Sequence, residues 1–250
     1  MGQLGTKAAS TETATARVHT WTFAAAAALG WALFLLTILH LVSSFDPILD
    51  PVSRYAFTDA GQGMLEVSLL SFAVGVIAVR GALLSSGLRV SRTTTILIIT
   101  TAAGLVAAAL FPATYTSEID PASGLIHQYA SLLAFLSLPG VAVSMLDQIR
   151  DVDELQRTRR MLVCLVWIAL GALALFGLSY LSDKVTFGFA PLSILLSLPV
   201  GLLQRVVFVL DFLMLAGLLV LANRAVWSRA TDDAVGSRMS PVQSYSISDQ

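Results

Sequence analysis

Three segments of this chain begin alike. Gly63-Met64-Leu65-Glu66, Gly124-Leu125-Ile126-His127 and Gly201-Leu202-Leu203-Gln204 each set a polar side chain three residues after a glycine, at the head of an apolar run. In a helix that spacing is about one turn. If the three runs enter a bilayer from one side, Glu66, His127 and Gln204 come to similar depth, with Gln128 and Arg205 beside them. His40, near the end of the first apolar run, arrives within a turn or so of the same level. A carboxylate and an imidazole there could move protons, and the set together could hold a lipid headgroup or a small polar ligand. The neighbouring connections add Asp46, Asp50, Arg54, Tyr55, Asp59, Tyr115, Glu118 and Asp120.

Asp211 lies deeper, in the middle of the last apolar run. An acid at the centre of a membrane helix costs about 2.5–3.5 kcal/mol on insertion scales, so it should face the bundle interior and find a partner there. It follows Gln204 by seven residues, which places both on one helical face. Gln204, a neighbouring Ser or Thr, or His127 are the expected partners.

Each of these residues also has a plain structural reading. Glu66 at a helix N-terminus favours the dipole, His127 or His40 could be a hydrogen-bonded interfacial side chain, Arg205 could anchor its helix at the headgroups, and Asp211 could serve a buried hydrogen bond. No P-loop, G-x-S-x-G, H-E-x-x-H or paired-cysteine motif is present, so the sequence leaves any cofactor unknown. The histidines are His19, His40 and His127, with His19 expected on the opposite side, so a three-histidine zinc site is ruled out; a site of His40, His127 and a carboxylate is conceivable but has no diagnostic spacing, and no metal is expected. Cys164, the single cysteine, sits in an apolar run and reads as a small buried hydrophobe.

The elements that position these groups follow from composition. The 250 residues are 56% hydrophobic and 12% charged, with a mean hydropathy of +0.79. Soluble domains carry about a quarter charged residues, so the chain is built for lipid. A span needs about 20 mostly apolar residues to cross ~30 Å of hydrocarbon. Trp21–Ser44, Gly63–Leu84, Thr94–Pro112, Leu125–Leu146, Met161–Leu181 and Leu202–Ala222 qualify. None alternates as barrel strands do, so the expected fold is all-α, a six-transmembrane-helix bundle. The first run exceeds the ~7–15 residues of a signal-peptide core and is read as a retained span.

Lys and Arg set the orientation. With the N-terminus inside, 12 of the 15 fall on the cytoplasmic side and only Arg54, Lys184 and Arg205 fall outside, as the positive-inside rule requires. Both termini are then cytoplasmic. Phe187–Leu198 is apolar but too short to span and is flanked by Pro191 and Pro199, so it reads as a re-entrant or interfacial lid on the outer face. Residues 1–20 and 225–250 read as disordered cytoplasmic tails around a transmembrane domain at 21–224. Small-xxx-small pairs, Ala26/Gly30, Ser71/Gly75, Gly104/Ala108 and Ala130/Ala134, would allow close helix approach, and Pro139-Gly140 would kink the fourth span.

Several motifs occur in a telling order: Asp50-Pro51-Val52-Ser53-Arg54-Tyr55-Ala56, Phe111-Pro112 closing the third span, Gly124-x-x-His127 opening the fourth, and Gly201-Leu202-Leu203-Gln204-Arg205 opening the sixth. Over roughly Trp21 to Arg224 the chain resembles the bacterial membrane proteins grouped as the domain of unknown function 998 family. That pattern usually has an acid soon after Phe-Pro, where Ala113-Thr114 stand here; either Glu118 or Asp120 substitutes, or the acid is dispensable. The resemblance implies a six-helix bundle in a bacterial cytoplasmic (inner) membrane and brings no established activity.

Three functional readings follow. The first is a binding or transport-type protein that holds or moves a lipid or small polar ligand through an outward-facing polar pocket of His40, Glu66, His127, Gln204, Arg205 and Asp211. The second is a membrane enzyme on a lipid-soluble substrate, with Glu66, His127 and Asp211 as acid/base groups. The third is a structural accessory subunit. The expected partners are membrane lipids and a lipid or small-molecule ligand, with no nucleic acid.

Overall fold

Each apolar run becomes one long helix. The computed structural model describes residues 2–57, 61–114, 120–182 and 199–239. It contains α1 (Gly2–Val42), α2 (Gln62–Ser85), α3 (Arg92–Leu110), α4 (Pro121–Gln148), α5 (Gln156–Ser182) and α6 (Val200–Met239), with short 3-10 turns at Val52–Phe57 and Asp153–Leu155. All six are long and apolar enough to cross a membrane, and no strand occurs among the described residues. The expected lid at Phe187–Leu198 lies outside them, as do Asp59, Tyr115 and Glu118.

The helix limits follow local signals. Ser91 caps α3 by accepting the Thr94 N–H at 3.0 Å. Asp120 caps α4 by accepting the Ala122 N–H at 2.9 Å, with Pro121 in the first helical position, where its missing N–H costs nothing. Asp120 thus has a local role that explains an acid at this corner. The helix continues through Pro139. Helical backbone also reaches into both segments that composition reads as tails, to Gly2 and to Met239. Extending an existing helix fixes one residue per added bond and needs no buried face, so composition alone sets no stop.

Consecutive helices run antiparallel and touch in order, and α6 closes the ring against α1 while also touching α2 and α4. It is the most enclosed helix: 61% of its most apolar stretch is buried, against 28% in α5 and 33% in α1. Hydrocarbon tails are as apolar as leucine, so the helices are held by shape and buried hydrogen bonds. Gly104 shows the first, because a Cβ there would lie 2.6 Å from the Ala130 carbonyl oxygen. By contrast Gly30 has open space around it and Ala26 is exposed, so that small pair faces outward and joins no helices. Sequence spacing gives such a pair no direction; the packing of α1 against α2 and α6 decides it.

The chain has two chemically different ends. Arg80, Arg89, Arg92, Arg150, Arg157, Arg159, Arg160, Arg224 and Arg229 lie toward one of them. There Arg229 donates to the Ser86 and Gly87 carbonyls at 3.0 and 2.7 Å, and the Asn223 amide donates to Thr22 at 3.0 Å. The opposite end holds His40, the connection at 43–57, His127 and the start of α6.

Candidate functional site

The site begins with the backbone of the first connection. Asp46 folds a turn on itself: its carboxylate accepts the Ile48 N–H at 2.7 Å, and its carbonyl accepts the Asp50 N–H at 2.8 Å. Asp50 completes the turn, accepting the Asp46 N–H at 3.0 Å and pairing with Arg54 at 2.5 Å. Pro51 then leads into the 3-10 turn that carries Tyr55. This small structure is offered to the first turn of α6, whose N–H groups have no helical partner of their own. The Leu202 N–H goes to the Ile48 carbonyl at 2.9 Å, and the Gln204 side-chain oxygen accepts the Val52 N–H at 2.7 Å. The approach is close enough to require glycine at 201, where a Cβ would come 2.4 Å from the Asp50 carbonyl oxygen.

One turn further, Arg205 gathers three elements. Its Nε–H donates to His40 Nε2 at 2.6 Å, from α1. Its Nη1 donates to the carbonyls of Asp50 and Gly201, both at 2.8 Å, and its Nη2 to the Tyr55 hydroxyl at 2.5 Å. Four of the five guanidinium N–H groups are used in a planar fork that no lysine could reproduce. His40 is oriented from its other side, where Nδ1–H donates to the Leu36 carbonyl at 2.6 Å. The ring is therefore the neutral tautomer with Nε2 free to accept. Tyr55 is fully buried, edge-on to His40 at 5.1 Å and stacked on Phe45 at 6.1 Å. Arg205 has no carboxylate partner among the described residues.

A groove of about 270 Å³ runs from this cluster between α1 and α6. Its walls are Leu33, Leu36, Phe208, Val209 and Phe212, with His40 and Arg205 at its polar end. Leu33, Leu41 and Val209, which border it, are exposed, so the groove opens on the flank that meets lipid.

Of the residues expected to converge, the structure brings together His40, Gln204 and Arg205. His127 is engaged elsewhere: its Nδ1–H is shared by the Ala108 and Phe111 carbonyls, both at 2.9 Å, and so closes the C-terminal end of α3. Glu66 is exposed on α2 without a hydrogen-bond partner among the described residues, and Gln128 is exposed on α4. Asp211 faces inward at 3% exposure on the same face as Gln204. Of the partners expected for it, the Gln204 side-chain oxygen accepts from Val52, His127 is bound to α3, and no Ser or Thr among the described residues bonds it. Glu66, His127 and Asp211 share no hydrogen bond. Tyr55 and Asp50, named from sequence only as neighbours on the connection, complete the cluster through the Tyr55 hydroxyl and the Asp50 carbonyl; a tyrosine two residues beyond the Pro-Val-Ser was the available signal, since a buried Tyr needs a partner for its hydroxyl.

Residues 24–222 match the family described as Protein of unknown function (DUF998). The chain belongs to this family. The matched region contains the whole His40–Tyr55–Arg205 cluster, the groove and Asp211. No curated protein and no solved structure matches the chain.

Proposed function

We propose that this protein binds, and in binding helps to move or present, a lipid or lipid-soluble ligand at the outer face of a bacterial cytoplasmic membrane. The observation that carries the reading is the groove between α1 and α6, apolar along its walls and closed at one end by a guanidinium with no carboxylate partner among the described residues. A hydrocarbon chain lying in the groove would meet Leu33, Leu36 and Phe212, and its polar end would meet Arg205, which keeps one Nη2–H beyond its four bonds. A net cation at the groove's end favours an anionic or strongly polar head. The outward assignment of this end rests on the 12-to-3 partition of Lys and Arg.

The test is native mass spectrometry of the full chain released from mild detergent. The wild type should retain a lipid, and Val209→Trp, which fills the groove from its lipid side, should lose it. Wild-type protein that carries no lipid under conditions preserving the folded state would overturn the reading.

A further inference from the structure

Asp211 does something that neither packing nor the groove explains. It lies about 16 Å along α6 from Val200, near the middle of the span. On either side of it in sequence, Phe208 and Phe212 pack on rings of other helices: Phe212 stacks on Phe72 of α2 at 4.6 Å, and Phe208 meets Phe135 of α4 edge-on at 5.2 Å. The acid is thus held within an aromatic layer, 3% exposed, with no hydrogen bond or ion pair among the described residues. An aspartate retained only for structure should have a donor to bind, because burying a polar group without one is costly.

The surrounding elements supply no counter-charge. From α1, His40 is taken by Arg205 and Leu36, and no charged residue lies between His19 and His40. From α2, Glu66 and Arg80 bracket the aromatic layer, about 9 and 12 Å along the axis from Phe72. In α4, His127 is bound to α3, and Asp147 lies at the far end. Arg157, Arg159 and Arg160 of α5 lie in its first turns, beyond which Cys164, expected to be buried, is instead exposed, because an apolar run in lipid gives no direction, and Tyr180 lies near the opposite end. On α6 itself Arg205 is engaged above and Arg224 donates to Thr158 below. A metal cation is no better served, since no group of three His, Cys, Asp or Glu side chains could hold one among the described residues. What a carboxyl offers here that an amide or a leucine does not is an exchangeable proton.

We propose that Asp211 is a membrane-embedded proton-binding site, exchanging with the His40 end by way of Gln204. Gln204 lies on the same face about 10 Å away, and its amide nitrogen has no partner among the described residues. The proposal is independent of the groove and stands or falls without it.

The experiment uses dicyclohexylcarbodiimide, a lipid-soluble reagent, on the full chain in liposomes. A protonated carboxylic acid adds across one C=N bond, its proton passing to nitrogen, and the O-acylisourea rearranges to a stable N-acylurea with no leaving group. Peptide mass mapping should place the adduct on Asp211, and Asp211→Asn should lose it. Yield should fall about tenfold per pH unit once the acid ionises. The wild-type pH series needs no variant to fold. Absence of the adduct from folded protein at every pH would show a sealed carboxyl, and a yield independent of pH one that does not exchange its proton; either result would overturn the proposal.

Discussion

Arg205 on α6 gives its Nε–H to Nε2 of His40 on α1 at 2.6 Å, while its two terminal nitrogens reach Tyr55 and the backbone between them. One side chain therefore fixes the distance between the first and last helices at the groove's end. Arg205→Lys keeps the charge but cannot satisfy His40, Tyr55 and two carbonyls together. Hydrogen bonds to charged groups contribute about 1.5–3 kcal/mol each, so Arg205→Lys should lower the thermal midpoint by several degrees and Arg205→Ala by more. Tyr55→Phe, which removes one acceptor, should cost about 1–2 kcal/mol. Thermal unfolding in detergent, followed by intrinsic fluorescence, separates these; an unchanged midpoint for Arg205→Ala would deny the latch.

The glycine before this latch gives a paired test. A Cβ at Gly201 would sit 2.4 Å from the Asp50 carbonyl oxygen and 2.8 Å from that of Ile48, both backbone atoms held by their own turn. Gly201→Ala should destabilise by about 1–3 kcal/mol, the usual cost of overpacking. Gly30→Ala meets nothing within 4 Å and should be neutral or stabilising by up to about 1 kcal/mol, the difference in helix propensity. Equal effects at the two sites would mean that the loop does not press on α6.

That pair also marks how far the sequence can be read. Six apolar runs give six helices, because hydrocarbon admits only helices or closed barrels and these runs do not alternate as barrel strands do. Depth was legible too: His40, Gln204 and Arg205 do meet at one level. Direction around each helix was not. A helix apolar on all sides carries no stripe to say which face meets protein and which meets lipid, since the two surroundings are equally apolar. Glu66 therefore shares a level with Gln204 but points outward, and Ala26 and Gly30 lie on an open face. Asp211 was the exception, because the cost of a charge in hydrocarbon itself dictates an inward direction. The Tyr55 contact depends on the fold of a connection, where no periodicity exists to guide a reading.

Topology follows from charge and is tested directly. Reporter fusions after Arg160 and after Arg229 should read cytoplasmic, and one after Asp120 should read external. A periplasmic reading at Arg229 would require a seventh crossing between Ser182 and Val200.

The last test decides whether His127 and Glu66 belong with the His40–Arg205 site or only to the bundle. His127 bridges α4 to the end of α3, where the Ala108 and Phe111 carbonyls share its Nδ1–H. These are among the acceptors that every helix end leaves without a helical partner. His127→Ala should therefore destabilise by about 1–2 kcal/mol, since it strands the part-buried Ala108 carbonyl while that of the exposed Phe111 can turn to other partners. His127→Asn, whose amide can donate from a similar position, should recover part of that loss. Glu66→Gln should leave stability within about 0.5 kcal/mol, as expected for an exposed side chain without partners. Neither His127→Asn nor Glu66→Gln should alter lipid retention in native mass spectra, whereas Arg205→Ala should reduce it. A Glu66→Gln or His127→Asn protein that is as stable as wild type yet loses its lipid would extend the ligand across the mouth of the bundle. The site would then include all three polar residues that open α2, α4 and α6.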